Sequence, residues 1–362
     1  MTGAAEVYDC AAALAEFDAS RATVRDLVES GLASVPPLFI APSSTAKHPP
    51  TDITVPTVDL SLPLSALVPL VGAAARTCGF FHVTNHGIDA GAAVSAVRAF
   101  HELPAAVRSA FYSIAAVEGM SYSTVPYMDR DSLDGPGPIL PWRVSLRVLL
   151  QAADLGRLPA ACGDALVEYL RCIEELGKKM TRLLSEELGV GAERLETATH
   201  VEGWLMACNY YPPCPEPARV EGAVEHTDPS LFTILAQDEI GGLQVRVNGG
   251  DNDGQWVDVP LVPGTLLVNV GDVLKLVSNN EYHSVGHRVM VRSSQDARAS
   301  LAVFFNPAMR GDSGLLGPLP ELITPEKPAM YRNFTMTEFM DSRRKFGNGK
   351  FSTDHFRVAV DQ

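Results

Sequence analysis

The sequence predicts a mainly β fold with appended helices, and three features of the 362-residue chain support this fold class. The first feature is a series of short β-rich segments in the second half, each separated from the next by turn residues. The second is an amphipathic helix over 163–188, directly before that series. The third is a helical N-terminal region that a proline-rich segment interrupts. Short strands at close spacing are typical of a sandwich or jelly roll rather than of βαβ units.

The N-terminal region begins with a helical pattern over 13–30, which Gly31 closes. Six prolines between 36 and 56 follow, and they favour an extended arm because proline lacks the amide hydrogen that regular structure needs. The next predicted elements are a short strand at 58–60, a helix around 64–77 and a strand over 79–87 that ends in an Asn-His-Gly turn.

The helix over 163–188 is predicted from the spacing of its apolar residues. They recur every three or four positions and therefore form one face of a helix, and Gly189 is a typical residue for ending it. The predicted strands that follow are 204–211, 231–237, 243–247, 256–260, 265–270, 283–291 and 299–305. A final helix is expected at 335–346.

This pattern divides the chain into four regions. They are an N-terminal helix and proline-rich arm (1–56), a mostly helical region (57–200), a β core (201–310) and a C-terminal segment with a helix (311–362). We find no internal repeat.

Composition and charge exclude several classes of protein. Hydrophobic residues make up 46% and charged residues 20%, as in an ordinary globular chain with a sizeable core. The net charge of −14, without a basic run, argues against nucleic acid and anionic membranes as partners. The six cysteines form no CxxC pair, and the N-terminus lacks a signal-peptide pattern. We therefore expect free thiols in a soluble, cytoplasmic protein, and we expect a monomer.

A candidate metal site lies in the segment VEHTDPS. His226 and Asp228 are two residues apart, so on an extended segment their side chains share a face. The segment HSVGHRV supplies a third ligand, either His283 or His287. Two histidines and one carboxylate form the facial triad of non-haem Fe(II) oxygenases. A His-x-Asp motif alone also occurs by chance as a surface pair.

A candidate carboxylate site lies in the segment DARASLAVFF. Arg298 and Ser300 share a strand face and offer a bidentate fork and a hydroxyl to one anion. The alternative for this pair is an ordinary salt bridge on an edge strand. Asn209 and Tyr211 share one face of the strand 204–211 and can add hydrogen bonds to the same ligand.

These segments together resemble a known family. NYYPPCP (209–215), HTD (226–228), GGLQV (241–245), HRV (287–289) and RAS (298–300) occur in the order and spacing of plant 2-oxoglutarate- and Fe(II)-dependent dioxygenases. PGTLLVNVGDVLKLVSN (263–279) and GFFHVTNHGI (79–88) resemble further segments of that family. The N-terminal sequence is similar to the branch of 1-aminocyclopropane-1-carboxylate oxidase homologues, which includes desacetoxyvindoline 4-hydroxylase and the benzoxazinoid dioxygenase. The resemblance extends from about residue 8 to residue 350.

The resemblance implies a double-stranded β-helix (jelly roll) with helices packed outside it. It implies that His226, Asp228 and His287 bind Fe(II), and it favours His287 over His283 because His287 lies eleven residues before Arg298. It implies that Arg298 and Ser300 bind the distal carboxylate of 2-oxoglutarate. The implied supporting residues are Tyr211 and, less directly, Asn209.

The implied reaction hydroxylates or oxidatively demethylates a small specialised plant metabolite. It consumes O2 and 2-oxoglutarate, releases succinate and CO2, and is supported by ascorbate as reductant. Candidate substrate contacts are the aromatic residues Phe304, Tyr122, Tyr127, Trp142 and Phe334, for each of which packing in the core is the alternative. The segment Trp142-Arg143-Val144-Ser145-Leu146 departs from the family pattern, so we expect an altered entrance to the substrate pocket.

Three other functions compete with this hypothesis. One is an iron oxidase that does not use 2-oxoglutarate, as in 1-aminocyclopropane-1-carboxylate oxidase. Another is a non-catalytic jelly-roll protein that binds a small molecule, although no residue of the triad or of the carboxylate site is missing. A zinc hydrolase has overlapping ligand types, but it leaves Arg298 and Ser300 without a role.

Overall fold

The computed structural model of the protein describes residues 8–41, 54–125, 139–247, 254–307, 314–346 and 353–358. The helices are α1 (Cys10–Ala19), α2 (Val24–Glu29), α3 (Leu64–Thr77), α4 (Ala90–His101), α5 (Ala105–Arg108), α6 (Gly163–Glu187), α7 (Arg194–Thr199), α8 (Asp272–Val277) and α9 (Met336–Phe346). The strands are β1 (Thr57–Asp59), β2 (Phe80–Thr84), β3 (Ser113–Val117), β4 (Met120–Ser123), β5 (Val144–Leu149), β6 (Val201–Tyr211), β7 (Glu221–His226), β8 (Phe232–Gln237), β9 (Leu243–Arg246), β10 (Trp256–Asp258), β11 (Leu266–Val270), β12 (His287–Met290) and β13 (Arg298–Pro307).

The strands form two sheets. The larger sheet has the order β1-β2-β11-β8-β13-β6-β5-β4-β3, and the smaller has the order β10-β9-β12-β7. Strands β1 and β2 run parallel, whereas the other paired strands run antiparallel. This arrangement confirms the predicted jelly-roll core with helices around it.

Two hydrophobic clusters show how the layers pack. The main cluster fills the space between the helices and one face of the larger sheet, where Ile173 of α6 and Leu301 of β13 are fully buried. A smaller cluster lies between the two sheets and includes Phe80, Val245 and Val289. The space between the sheets is therefore the interior of the jelly roll, and residues of alternate parity on each strand face it.

Several predicted elements are confirmed. Helix α3 has the predicted bounds, and α6 matches the amphipathic pattern closely. Gly189 follows α6 with a φ of +74°, a conformation that glycine adopts without strain. The predicted final helix is α9.

The N-terminal helix is not continuous as predicted. It ends at Ala19, and Arg21 adopts a positive φ of +56° before α2 begins. Thr23 begins the second helix, because its amide donates to the Asp26 carboxylate at 2.8 Å in a capping box. The apolar pattern over 13–30 continues across this break, so the pattern alone did not reveal it.

Other elements were missed. In the region 57–200, β1 and β2 correspond to the strands predicted at 58–60 and 79–87, whereas β3, β4 and β5, which also belong to the larger sheet, were not predicted. Strand β7 was also missed because its sequence EGAVEH has no apolar alternation. The strand predicted to begin at 283 begins at His287, and the residues before it form a loop. Along the described residues, no helix is long and apolar enough to cross a lipid bilayer.

Candidate metal centre and carboxylate site

The two histidines of the candidate metal site are cross-strand partners in the smaller sheet. His226 is the last residue of β7 and His287 is the first residue of β12, and the two are paired in the sheet register. Their ring centroids lie 4.2 Å apart. The sheet pairing alone therefore brings together two ligands that are far apart in the sequence.

Asp228 completes the group from beyond the end of β7. Its Oδ1 lies 3.7 Å from His226 Nε2 and 3.5 Å from His287 Nε2. Potential ligand atoms of the three residues all lie within 4.8 Å of one another, and within the described part of the chain this is the group that could hold a metal ion. His283 is not part of it. Strand β7 ends at His226, and the side chains of His226 and Asp228 converge from the last residue of the strand and from the residues just after it.

Hydrogen bonds to the main chain orient both imidazoles. His226 Nδ1 lies 2.8 Å from the Val224 carbonyl, and His287 Nδ1 lies 3.2 Å from the Val285 carbonyl. Since a carbonyl oxygen can only accept, each Nδ1 carries the hydrogen and donates it. In the neutral rings each Nε2 then keeps a free lone pair, which is the form that binds a metal ion.

Asp228 is held by two donors on neighbouring strands. Its Oδ2 accepts hydrogen bonds from Thr233 Oγ1 at 2.6 Å and from Asn269 Nδ2 at 2.8 Å. The other oxygen, Oδ1, faces the two histidines. The carboxylate is thus fixed through one oxygen and presents the second one toward the position between the imidazoles.

Electrostatics assign different protonation states to the three groups. Burial, reinforced by the neighbouring His287, lowers the pKa of His226 to about 3. Burial alone would raise the pKa of Asp228, but His287 and the hydrogen bonds from His287 and Asn269 hold it below its usual range. Burial would lower the pKa of His287, but the charge of Asp228 outweighs this effect and raises it. Near neutral pH His226 is neutral and Asp228 is ionised, as metal binding requires.

The carboxylate site is built on the pairing of β13 with β6. Arg298 lies directly opposite Tyr211, and Ser300 lies directly opposite Asn209. The Arg298 guanidinium carbon is 4.8 Å from the centroid of the Tyr211 ring, a cation–π distance. The four residues that were predicted to act together are therefore brought together by one strand pair.

Arg298 is buried, with 4% of its surface exposed. It donates to Gln237 Oε1 at 2.8 Å and to Ser300 Oγ at 3.3 Å, and no carboxylate among the described residues pairs with it. Its Nε is buried without a hydrogen-bond partner in the same part of the chain. A buried cation with an unused donor is costly unless a ligand supplies the anion.

The neighbours of Arg298 complete this site. Asn209 accepts a hydrogen bond from Ser145 Oγ at 2.7 Å, which fixes its side-chain amide. Burial alone would raise the pKa of Tyr211, but the charges of Arg298 and Arg143 outweigh burial and lower it. The site is therefore electropositive in a chain whose net charge is −14.

The aromatic candidates for substrate contact differ in position. Trp142 is fully buried, packs edge-on against Phe39 at 5.3 Å and donates from Nε1 to the Pro212 carbonyl at 3.1 Å. Tyr122 packs against Phe100 at 5.4 Å in the main cluster.

Phe334 lies in an aromatic group with Phe339 and Phe356. For Trp142, Tyr122 and Phe334 the structure thus shows packing in the core, which was the alternative for each. Tyr127 lies outside the described residues.

Phe304 is different because it is the half-buried residue of β13 and has the same parity as Arg298. It pairs in register with Thr233, the donor to Asp228. Of the four described candidates, Phe304 is thus the one that lies beside the metal centre.

Sequence reasoning missed three polar residues that support the site. Thr233 and Gln237 are the two polar residues of the apolar strand β8, Asn269 is the polar residue of β11, and all three bind Asp228 or Arg298. A buried polar side chain in such a strand needs a partner, so this pattern was a usable signal.

Comparisons with known proteins agree with the fold and the site. The 2OG-Fe(II) oxygenase superfamily matches residues 204–307, and the N-terminal region of the non-haem dioxygenase in morphine synthesis matches residues 55–152. The 1-aminocyclopropane-1-carboxylate oxidase homolog 1 of Arabidopsis thaliana is 37% identical over 350 residues, covering 92% of each chain. The homolog of Solanum lycopersicum is 33% identical and covers 96% of this chain and 97% of its own.

Two solved structures extend the comparison. The crystal structure of JOX2 in complex with 2OG, Fe and JA has a TM-score of 0.78 at 28% identity and covers 93% of this chain and 98% of its own. The dioxygenase for auxin oxidation in rice has a TM-score of 0.69 at 24% identity, covers 84% of this chain and 100% of its own, and shows the shared fold. Since relatives above 30% identity span nearly the full length, the chain belongs to the 2OG-Fe(II) oxygenase superfamily, among the 1-aminocyclopropane-1-carboxylate oxidase homologues, and is a non-haem iron oxygenase that uses 2-oxoglutarate.

Proposed function

We propose that this enzyme hydroxylates, or oxidatively demethylates, a small specialised plant metabolite. In this proposal His226, Asp228 and His287 hold Fe(II), and Arg298 with Ser300 holds the distal carboxylate of 2-oxoglutarate. Tyr211 and Asn209 support that carboxylate site. One O2 is consumed, one oxygen atom enters the substrate C–H bond, and 2-oxoglutarate is converted to succinate and CO2.

The observation that carries the proposal is the buried, uncompensated charge of Arg298. Its Nε has no partner among the described residues, and its other donors reach only neutral oxygens. Binding a carboxylate there supplies both the missing anion and a charge-assisted hydrogen bond. A zinc hydrolase would leave this arrangement without a role.

The side chains have separate tasks. Fe(II) held by these residues would supply the activation of O2 and the binding of the keto acid. His226 and His287 offer their Nε2 atoms, and Asp228 offers a carboxylate oxygen, while Thr233 and Asn269 keep its other oxygen in place. Arg298 orients the keto acid through the planar fork of its guanidinium.

The substrate side of the site is inferred from Phe304. It is half-buried beside the metal centre and offers an apolar face to a small molecule. JOX2, which is 28% identical, was solved in complex with 2OG, Fe and JA, and this supports a small molecule as substrate. We further propose ascorbate as the reductant and a monomeric, cytoplasmic enzyme without nucleic-acid or membrane partners, consistent with the net charge of −14.

The test is an anaerobic titration with Fe(II) and then with 2-oxoglutarate, followed by visible absorption. We expect a metal-to-ligand charge-transfer band in the wild-type enzyme and none in Asp228→Ala, which lacks a ligand but keeps the carboxylate site. Incubation of the loaded enzyme with a plant metabolite library and O2 then identifies the substrate by stoichiometric succinate release.

Each other outcome contradicts part of the proposal. Iron binding without a band in the wild type would favour an oxidase that does not use 2-oxoglutarate. Absence of iron binding would favour a non-catalytic binding protein. A band that persists unchanged in Asp228→Ala would overturn the assignment of the ligands.

A further inference from the structure

The C-terminal helix reaches the segment 226–228, which carries two of the proposed metal ligands. Arg343 of α9 donates from Nη2 to the main-chain carbonyl of Thr227 at 2.7 Å. Thr227 stands between His226 and Asp228 in the sequence. The guanidinium of Arg343, which lies on a helix that contributes no ligand, thus contacts the central residue of this segment.

The same guanidinium also binds a buried carboxylate. Arg343 Nη1 lies 2.6 Å from Asp272 Oδ2, and this oxygen accepts a second hydrogen bond from Thr227 Oγ1 at 2.8 Å. The amide of Asp272 donates to the Asp228 carbonyl at 2.8 Å. Arg343, Asp272 and Thr227 are therefore hydrogen-bonded to one another, and this group holds the segment 226–228.

Asp272 connects this group with the segment of the other histidine. Its Oδ1 accepts a hydrogen bond from Ser284 Oγ at 2.7 Å. Ser284 directly precedes Val285, whose carbonyl orients the His287 imidazole. The Asp272 carboxylate is thus bonded to both ligand-bearing segments, one through each oxygen.

Arg343 is needed electrostatically in this position. Asp272 is 1% exposed and Arg343 is 5% exposed, so water does not compensate either charge. Without the guanidinium, the buried carboxylate loses its cation and the Thr227 carbonyl loses its donor. The uncompensated charge of the Asp272 carboxylate and the unpaired Thr227 carbonyl would then disturb the segment between the two proposed ligands.

Helix α9 has another attachment that does not involve Arg343. Phe339 packs with Phe334 and Phe356 at centroid distances of 5.8 and 6.0 Å, and it is fully buried. The helix is therefore expected to remain in place when Arg343 is changed. Its aromatic contacts hold the helix on the core, whereas Arg343 links it to the metal centre.

We propose that Arg343 is a positioning residue that fixes the segment 226–228 and thereby sets the affinity of the metal centre. The proposal rests on the assignment of His226, Asp228 and His287 as metal ligands. Arg343 itself does not contact the metal or the substrate. Residues that orient ligands typically change metal affinity by about 10- to 100-fold when they are removed.

The experiment compares Co(II) affinity in the full-length protein for wild type, Arg343→Met, Arg343→Lys and Arg344→Met. Arg344 is the matched control, because it is the next residue, loses the same charge and pairs with Asp341 at an exposed position (55% and 61% exposed side chains). Co(II) binding is followed by its visible d–d absorption at 10 °C. Circular dichroism and the melting temperature of the metal-free protein report the folded fraction.

We expect Arg343→Met to weaken Co(II) binding by about 10- to 100-fold with an altered d–d spectrum, while Arg344→Met matches wild type. Arg343→Lys should be intermediate, because one ammonium keeps the charge but not the planar fork that reaches both Asp272 and Thr227. A purely structural role would lower the melting temperature and leave the affinity of the folded protein unchanged, which would overturn the proposal.

If Arg343→Met does not fold, Arg343→Lys decides in its place. Lysine retains the cation beside Asp272, so this variant is expected to fold and to bind Co(II) more weakly than wild type. Equal affinity in Arg343→Lys would then overturn the proposal. A wild-type protein that binds no Co(II) would instead show that the assignment of the metal ligands, and with it the proposed function, is wrong.

Discussion

Arg298 and Tyr211 are directly opposite each other on β13 and β6, with the guanidinium carbon 4.8 Å from the ring centroid. The aromatic face stabilises the cation, but it supplies no hydrogen-bond acceptor for Nε. The strand pair therefore holds a charged donor ready for an anion before the anion arrives. In the proposed function, this relationship favours a cosubstrate that carries a free carboxylate.

Removal of the guanidinium should abolish most of the affinity for 2-oxoglutarate. We expect Arg298→Ala to raise the Kd by about 100-fold, since charge-assisted hydrogen bonds contribute about 1.5–3 kcal/mol each. Ser300→Ala loses one neutral hydrogen bond and should raise the Kd by about fivefold. Calorimetric titration of the anaerobic metal-loaded proteins measures both values.

Arg292→Ala is the control for this pair, because Arg292 pairs with Asp258 at the surface. It should bind 2-oxoglutarate as wild type does. A Kd within threefold of wild type for Arg298→Ala would show that the cosubstrate binds elsewhere.

The two histidines of the segment HSVGHRV should differ sharply in metal binding. His287 belongs to the cluster of ligand atoms, whereas His283 lies in the loop before β12 and its amide bonds the Ala75 carbonyl at 3.0 Å. His287→Ala should weaken Co(II) binding by more than about 100-fold, beyond the effect of losing a residue that only orients a ligand. His283→Ala should leave the affinity unchanged. Weakened binding in His283→Ala with full binding in His287→Ala would reverse the assignment.

His101 should make folding stability sensitive to acid. It is fully buried, stacks on Tyr210 at 5.2 Å and donates from Nε2 to the Cys208 carbonyl at 3.1 Å. Burial, with the nearby charges of Arg108 and Arg25, lowers the pKa of His101 to about 3 in the folded protein. The unfolded chain takes up this proton near pH 6.5 and the folded chain does not, so stability falls as the pH decreases from 6.5 toward 3.

Urea unfolding at pH 7.5 and pH 5.5 checks this effect. We expect the wild type to lose about 1.4 kcal/mol more than His101→Gln between these two values, because one proton is linked to unfolding. The carboxylates titrate in both proteins, so their contribution cancels in the difference. Equal losses in wild type and His101→Gln would mean that His101 has the same pKa in the folded and the unfolded chain.

Gly177 of α6 should not tolerate a methyl group. A Cβ at this position would lie 2.2 Å from a ring carbon of Phe305, which is itself stacked on Phe232 at 4.9 Å. Gly177→Ala should destabilise the fold by about 1–3 kcal/mol through overpacking, even though alanine favours helices. Gly91→Ala in α4 is the control, because the nearest atom would lie 3.7 Å away. Thermal unfolding of both variants measures this difference. A Gly177→Ala protein as stable as Gly91→Ala would contradict the expected clash with Phe305.

Much of the site was predictable from single strands, because strand parity determines which side chains share a face. Arg298 with Ser300, and Tyr211 with Asn209, were each paired in this way. The register that places the first pair opposite the second was not predictable, since it depends on two strands far apart in the chain.

Strand β7 and the inward position of Asp228 after it were missed for a related reason. Charged residues in β7 hide the strand, and the inward position of Asp228 depends on donors from β8 and β11. The role proposed for Arg343 was likewise not predictable, because no local pattern connects the final helix with the segment 226–228, more than a hundred residues earlier. Local chemistry identified the ligands, but their support comes from contacts between distant segments.

The pairing of His226 with His287 has a consequence for how the protein matures. These residues meet only after β7 and β12, which many residues separate in the chain, have found their register. Contacts of such long sequence separation form slowly during folding. The newly made chain therefore cannot capture its metal early, and metal loading should report that the smaller sheet has closed.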